Sequence, residues 1–310
     1  MTTYTIRAND AGQRADRFLG KAAANLTSHQ IQKLFRKKDV KLNGRPCKPD
    51  ARLPEGGVLT VYAAAGPRAG AALPPAVLNK DSVVYEDDNL LLLWKPPGLL
   101  SQADGDSLES RARRYLADAG QWDPARENAF APSLCHRLDR GTEGLVMAAK
   151  NAEALRVLTG KLKTREIRKI YHCVVYGKPE PEQGLWEDYL FKDAKKGHVY
   201  VRPASQPGCQ YAALRYRTLG TYRADVPLSR MEVELLTGRT HQIRVQFASR
   251  GWPLAGDSRY GIARRDGPKR QALCAVRLAF AFTSPAGPLQ ALNGRVFERE
   301  KTFEVLRNLY

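Results

Sequence analysis

One aspartate lies between arginines in a glycine-punctuated turn, His136-Arg137-Leu138-Asp139-Arg140-Gly141-Thr142-Glu143-Gly144-Leu145-Val146. Neighbouring guanidinium groups keep such a carboxylate ionised even where water is excluded, which is the state a nucleophile needs. The apolar residues of Ser133 to Leu138 and of Leu145 to Ala149 predict two short strands. Gly141 and Gly144 give the loop between them the freedom to present Asp139 at the floor of a cleft. Residue types alone leave a second reading open, a solvated surface turn.

The run HRLDRGTEGLVMAAK resembles the HRLD-x-x-T-S-G-L signature of the RluA-type pseudouridine synthases, which isomerise uridine in structured RNA. Four further blocks agree in order and spacing: Lys95-Pro96-Pro97-Gly98-Leu99, Arg168-Lys169-Ile170-Tyr171, Thr237-Gly238-Arg239-Thr240-His241-Gln242-Ile243-Arg244-Val245 and Gly256-Asp257-Ser258-Arg259-Tyr260-Gly261. Together they span about residues 80 to 285. The resemblance implies Asp139 as nucleophile, Tyr171 stacked on the target base near its C5 proton, and Arg244 paired with Asp139. Arg137 matches the residue that fills the gap left by a flipped nucleotide, whose extrusion costs on the order of a few kcal/mol. Arg140, Arg239, His241 and Gln242 accompany these as substrate-binding candidates, and His136 is expected to hold backbone. Breaking the N1 glycosidic bond, turning the uracil and rejoining it through C5 changes neither redox state nor atom count. No cofactor and no metal is therefore expected. Attack at ribose C1′ and attack at uracil C6 both remain open.

These groups need a scaffold. Ser82 to Lys95 predicts two strands around an acidic turn, and Asn151 caps a helix with Leu155, Leu158 and Leu162 on one face. Lys169 to Tyr176 and Met231 to Leu236 return to strand periods. After them Gly238 turns the chain, and Thr240 is expected to cap a helix with Ile243 and Phe247 paired, ended by Gly251, which places Arg244 in its second turn. Strands occur in hairpin-like pairs rather than alternating with helices. The expected fold class is α+β: a mixed, mainly antiparallel sheet with peripheral helices, plus a small N-terminal α/β module.

That module is assigned to residues 1–62. Gly12 to Leu19 predicts a first helix, Thr27 or Ser28 caps a second, and Val40 to Arg45 is a strand entering an Asn-Gly turn. Val58 to Tyr62 closes the unit, which resembles the S-four-like RNA-binding module. Arg17, Lys33, Arg36, Lys37, Lys38, Lys41 and Arg45 are its candidate RNA contacts, the alternative being a solvated charged face. Residues 63–76, rich in Ala, Gly and Pro, are expected to be a linker that lets the module swing, and residues 77–310 the catalytic domain.

Fifty Lys and Arg against thirty-two Asp and Glu leave a net charge of +18, which favours a polyanionic partner, either nucleic acid or an acidic membrane surface. Structured RNA is that expected partner, large-subunit ribosomal RNA first and tRNA second, with no obligate protein partner. No apolar run reaches a membrane span and the N-terminus has no h-region, so a soluble, cytoplasmic protein is expected. Cys47, Cys135, Cys173, Cys209 and Cys274 lack a C-x-x-C pair and are read as reduced thiols.

Four residues depart from the family's pattern: Glu143 for Ser, Trp94 for Asn, Gln246 for His and Cys274 for His. Glu143 is expected to face solvent or Arg140. Two other readings compete: a metal hydrolase built on His136, Asp139 and His241, and a non-catalytic RNA-binding or ribosome-assembly protein.

Overall fold

The computed structural model describes residues 1–65, 77–261 and 268–306. Residues 66–76 of the expected linker lie outside the described residues, as do residues 264–267 of the basic run Arg264 to Arg270, which the sequence offers as either a further RNA-backbone contact or a solvated loop.

The N-terminal unit contains β1 (Thr2–Thr5), α1 (Ala15–Ala22), α2 (Ser28–Arg36), β2 (Val40–Leu42), β3 (Arg45–Pro46) and β4 (Val58–Val61). Its strands pair antiparallel in the order β1-β4-β2-β3. Phe18 and Leu19 of α1 and Ile31 and Phe35 of α2 are buried against Val40, Leu59 and Val61. Thr27 closes a reciprocal capping box with Gln30, and Asn43 and Gly44 take positive φ angles (50° and 79°) in the hairpin turn. The first helix starts at Ala15, three residues later than expected, because Gly12 sits at φ 72° and pairs with the Leu53 carbonyl instead.

This unit is docked against the main body. Asn128 Nδ2 donates to the Thr5 carbonyl and to Asp10 Oδ2, both at 2.7 Å, and Asn9 Nδ2 donates to Glu127 at 2.8 Å. Asn9 Oδ1 accepts the Ala152 N–H at 3.0 Å, so a residue of the N-terminal unit serves the start of a helix in the main body.

The main body comprises β5 (Val83–Glu86), β6 (Leu90–Lys95), α3 (Leu108–Asp118), β7 (Ser133–Leu134), β8 (Glu143–Ala149), α4 (Ala152–Lys163), β9 (Ile167–Tyr176), β10 (Gln183–Asp193), β11 (His198–Arg202), β12 (Cys209–Tyr222), β13 (Leu228–Leu235), α5 (Gln242–Ala248), β14 (Leu273–Phe280) and β15 (Val296–Glu298). One mixed sheet runs β11-β10-β12-β13-β9-β14-β8-β6-β5, with β7 on β8 and β15 on β14. Among the described residues only β14 and β8 pair in parallel. The centre is buried on both faces: Leu90, Leu92 and Met147 pack beneath α4, while Leu91, Leu93 and Val146 pack with α3 and α5. That two-sided burial explains why β6 and β8 read as continuous apolar runs. The strand before the Asp139 loop is shorter than expected, ending at Leu134.

β8 and β9 are consecutive in sequence, yet β14 lies between them. One row of the sheet therefore runs Val233, Tyr171, Ala275, Gly144, Lys95 across five strands. Gly144 is at φ 125°, and a Cβ there would stand 2.3 Å from the Ala275 carbonyl oxygen. Only glycine lets the two strands approach at this point.

Candidate active site

The Asp139 loop is held from three sides. Thr142 N donates to the Asp139 carbonyl at 3.0 Å and closes the turn. Ser101 Oγ donates to the Leu138 carbonyl (2.7 Å) and accepts the Leu138 N–H (3.0 Å). Lys95, fully buried at the edge of the row that contains Tyr171, donates to the carbonyls of Pro96 (3.0 Å), Leu99 (2.8 Å) and Arg140 (3.3 Å). Burial brings the Lys95 ammonium down to about 8, with Asp139 and Glu143 opposing that fall. The Lys95–Leu99 block is therefore the loop's support.

Arg244 arrives from α5. The helix begins at Gln242, so Arg244 occupies its first turn rather than its second. Thr240 does not cap it; His241 stands at the N-cap in a left-handed conformation (φ 55°, ψ 20°) and makes no capping bond. Arg244 Nη1 donates to Asp139 Oδ2 at 2.9 Å, while Nε and Nη2 grip Asp257 at 2.7 and 2.9 Å. Asp257 also accepts the N–H groups of Arg259 and Tyr260. Burial opposes both charges, but their hydrogen bonds and mutual attraction outweigh it: Asp257 is held below the usual carboxylate range and Arg244 above its ordinary value.

Tyr171, from β9, shares a small recess with Asp139, Arg137, Arg239, His241 and Arg244. Burial first, then the charge of Asp139, pushes its phenol well up, so the ring is neutral at physiological pH. The recess opens into a cleft of about 970 Å³ whose lining includes Arg137, Arg140, Lys163, Arg165, Lys169, Lys192 and Arg239. Asp139 is its one acidic lining residue among the described residues. Arg137, Arg140 and Arg239 are exposed. Such a cleft accepts a polyanion and offers it a single carboxylate.

Gln242, expected to bind substrate, is 2 % exposed and its amide is engaged elsewhere. Oε1 accepts from Arg239 N and Thr237 Oγ1, and Nε2 donates to the Ala213 carbonyl at 3.0 Å. It builds the turn before α5. His136 accepts the Met147 N–H at Nε2, and burial presses its imidazole down to about 3. Among the described residues no three His, Cys, Asp or Glu side chains are gathered as a metal would require.

Glu143 faces neither solvent nor Arg140. Its carboxylate accepts from Trp94 Nε1 at 3.1 Å and pairs with Lys301 Nζ at 2.8 Å, while the Arg299 guanidinium lies 4.7 Å from the Trp94 ring centroid. Cys274 is directly opposite Glu143 in the parallel ladder. Three of the four departures are thus one contact group, and Glu143 lines a hollow separate from the cleft. Gln246 donates to Asp188 at 2.6 Å beneath α5.

Asp257 and Tyr260 are the site residues that the motifs left without a role; the only signal was that their block matched. In the N-terminal unit Arg17, Lys33, Arg36, Lys37, Lys38 and Arg45 are exposed, and Lys41 lies 4.8 Å from the Tyr62 ring centroid. No described acidic residue forms an ion pair with any of these seven. No helix among the described residues is long and apolar enough to cross a membrane.

Residues 89–249 match the family model for RNA pseudouridylate synthase. The chain is 32% identical over 263 residues to ribosomal large subunit pseudouridine synthase C of Vibrio cholerae, covering 83% of this chain and 79% of that protein. It is 29% identical to the protein of the same name from Vibrio vulnificus, covering 96% and 94%. Among solved structures, human RNA pseudouridylate synthase domain containing 1 superposes with a TM-score of 0.53 at 22% identity, over 75% of this chain and 94% of that one, a likeness of fold.

Proposed function

Since the chain belongs to the RNA pseudouridylate synthase family, we propose that it isomerises uridine in large-subunit ribosomal RNA, with Asp139 as the nucleophile. The observation that carries the assignment is the meeting of Asp139, Arg244 and Tyr171 in one recess of a cleft otherwise lined by cations. The substrate follows the relatives named above, which are large-subunit enzymes matched over most of their length.

Arg244 pairs with Asp139 and fixes its orientation before substrate arrives. Tyr171 offers a flat, uncharged ring on which the extruded uracil stacks. Its hydroxyl, which keeps its own proton, would stand near C5 of the stacked base. Arg137, at the exposed lip, has the planar cation suited to fill the gap in the RNA, and Arg140 and Arg239 to hold phosphates. His241 belongs to the recess, and Gln242 to the turn that supports it. The exposed cations of the N-terminal unit extend the electrostatic footprint beyond the cleft.

Mapping pseudouridines in total RNA from a strain lacking the gene tests the substrate. Loss of one or a few positions in large-subunit rRNA is expected. Loss confined to tRNA would replace the substrate and leave the chemistry in place.

A further inference from the structure

The segment from Asp257 to Tyr260 reaches the site twice. Asp257 grips Arg244, and Tyr260 lies against both Arg244, whose guanidinium carbon is 5.2 Å from the ring centroid, and His241. The Tyr260 hydroxyl oxygen accepts the Val199 N–H at 2.9 Å and stands 2.8 Å from His241 Nδ1. Burial raises the Tyr260 phenol, so its proton is retained and needs an acceptor. His241 Nδ1 is within reach, and an imidazole that accepts at Nδ1 carries its proton on Nε2.

That Nε2 is 3.9 Å from Asp139 Oδ2, the same oxygen that Arg244 holds at 2.9 Å. The separation is an electrostatic contact in the free site, and a movement of about 1 Å makes it a hydrogen bond. His241 is held there in left-handed backbone, which residues other than glycine rarely adopt. Strain of that kind collects where a side chain must be aimed. Burial keeps the ring neutral, outweighing the pull of Asp139, with Arg244 and Arg259 acting in the same direction as burial.

We propose that Tyr260 and His241 are positioning residues for Asp139. Tyr260 locks His241 as the neutral Nε2–H tautomer, and Nε2–H together with Arg244 fixes Oδ2. Oδ1, to which no described residue donates a hydrogen bond, is left as the attacking oxygen. This rests on Asp139 being the nucleophile.

Two variants of His241 separate aiming from scaffolding. Glutamine extends an amide N–H toward the place of Nε2–H, whereas asparagine is too short to do so but adopts left-handed backbone more readily. Positioning therefore ranks His241→Gln above His241→Asn in kcat, with the asparagine variant losing on the order of 10²-fold at unchanged KM. A purely structural role ranks them the other way, and that order overturns the proposal. Nitrogen-15 NMR of the histidine rings gives a readout independent of turnover. The wild-type His241 should be the Nε2–H tautomer, and Tyr260→Phe should convert it to a mixture and lower kcat. A wild-type Nδ1–H tautomer, an imidazolium, or full kcat in Tyr260→Phe would overturn it. An active Asp139→Asn enzyme would instead remove the nucleophile assignment while leaving the tautomer result as measured.

Discussion

Asp257 and Arg244 form a two-pronged ion pair with the Asp257 side chain wholly shielded from solvent, and it is the third arm of the same guanidinium that meets Asp139. Asp257 does not touch the reacting atoms and acts through Arg244 and through the Tyr260 backbone that it holds. Asp257→Asn leaves a buried cation half-compensated and is expected to cost about 3 kcal/mol of unfolding free energy, while lowering kcat more than it raises KM. Denaturant unfolding with single-turnover kinetics measures both. Wild-type stability and turnover together would show the pair to be idle.

Asp139→Asn keeps the side chain's shape and removes its nucleophilicity. Isomerisation should vanish while RNA affinity stays within about threefold, because the cations lining the cleft supply the binding. A pseudouridine-specific chemical adduct reports turnover, and appreciable residual product would refute the role.

Replacing Lys33, Arg36, Lys37 and Lys38 by glutamine should flatten the salt dependence of RNA binding. The logarithmic slope should fall by about 0.7 for every single-strand phosphate that the variant no longer neutralises. kcat at saturating RNA should hold. A slope equal to wild type would make this face a solvated surface.

The Trp94–Glu143 hydrogen bond spans two adjacent strands on the side away from the cleft. A double-mutant cycle of Trp94→Phe and Glu143→Gln should give a coupling of roughly 1 kcal/mol in stability. Uridine isomerisation should change by no more than about twofold. Zero coupling, or a large fall in kcat, would show that this group of side chains does something else.

His136 carries a pH prediction. Its imidazole is depressed in the folded protein to about 3, so between there and its ordinary value the unfolded chain binds the extra proton. Stability is therefore complete above about pH 6.5 and falls as the pH drops toward 3. Depressed carboxylates lose stability in the same direction at lower pH, so the difference between wild type and His136→Gln isolates the histidine. The variant should be the flatter of the two between about pH 6.5 and about pH 5, and parallel curves would contradict the assignment.

Local backbone and the chemistry on offer were legible in the residues themselves. The capping residues Thr27 and Asn151, the Asn43-Gly44 turn and the strand pair around the acidic turn are set by preferences of a few neighbouring residues, which short patterns encode. The matched blocks carried Asp139, Tyr171 and Arg244 as candidate groups. The resemblance implied that Arg244 pairs with Asp139, but residue patterns by themselves specify no meeting between distant segments. Asp139 and Arg244 are 105 residues apart and touch because of where α5 lies on the sheet. Tyr171 comes beside the Asp139 loop because β14 inserts between β8 and β9 and sets the row through Ala275 and Gly144. Gln242 turned inward, Glu143 found Trp94 and Lys301, and the N-terminal unit docked through Asn9 and Asn128, none of which a local pattern specifies. Strand order and register are fixed by burial summed over the whole core, so a side chain's partner across the sheet is a property of the assembled fold.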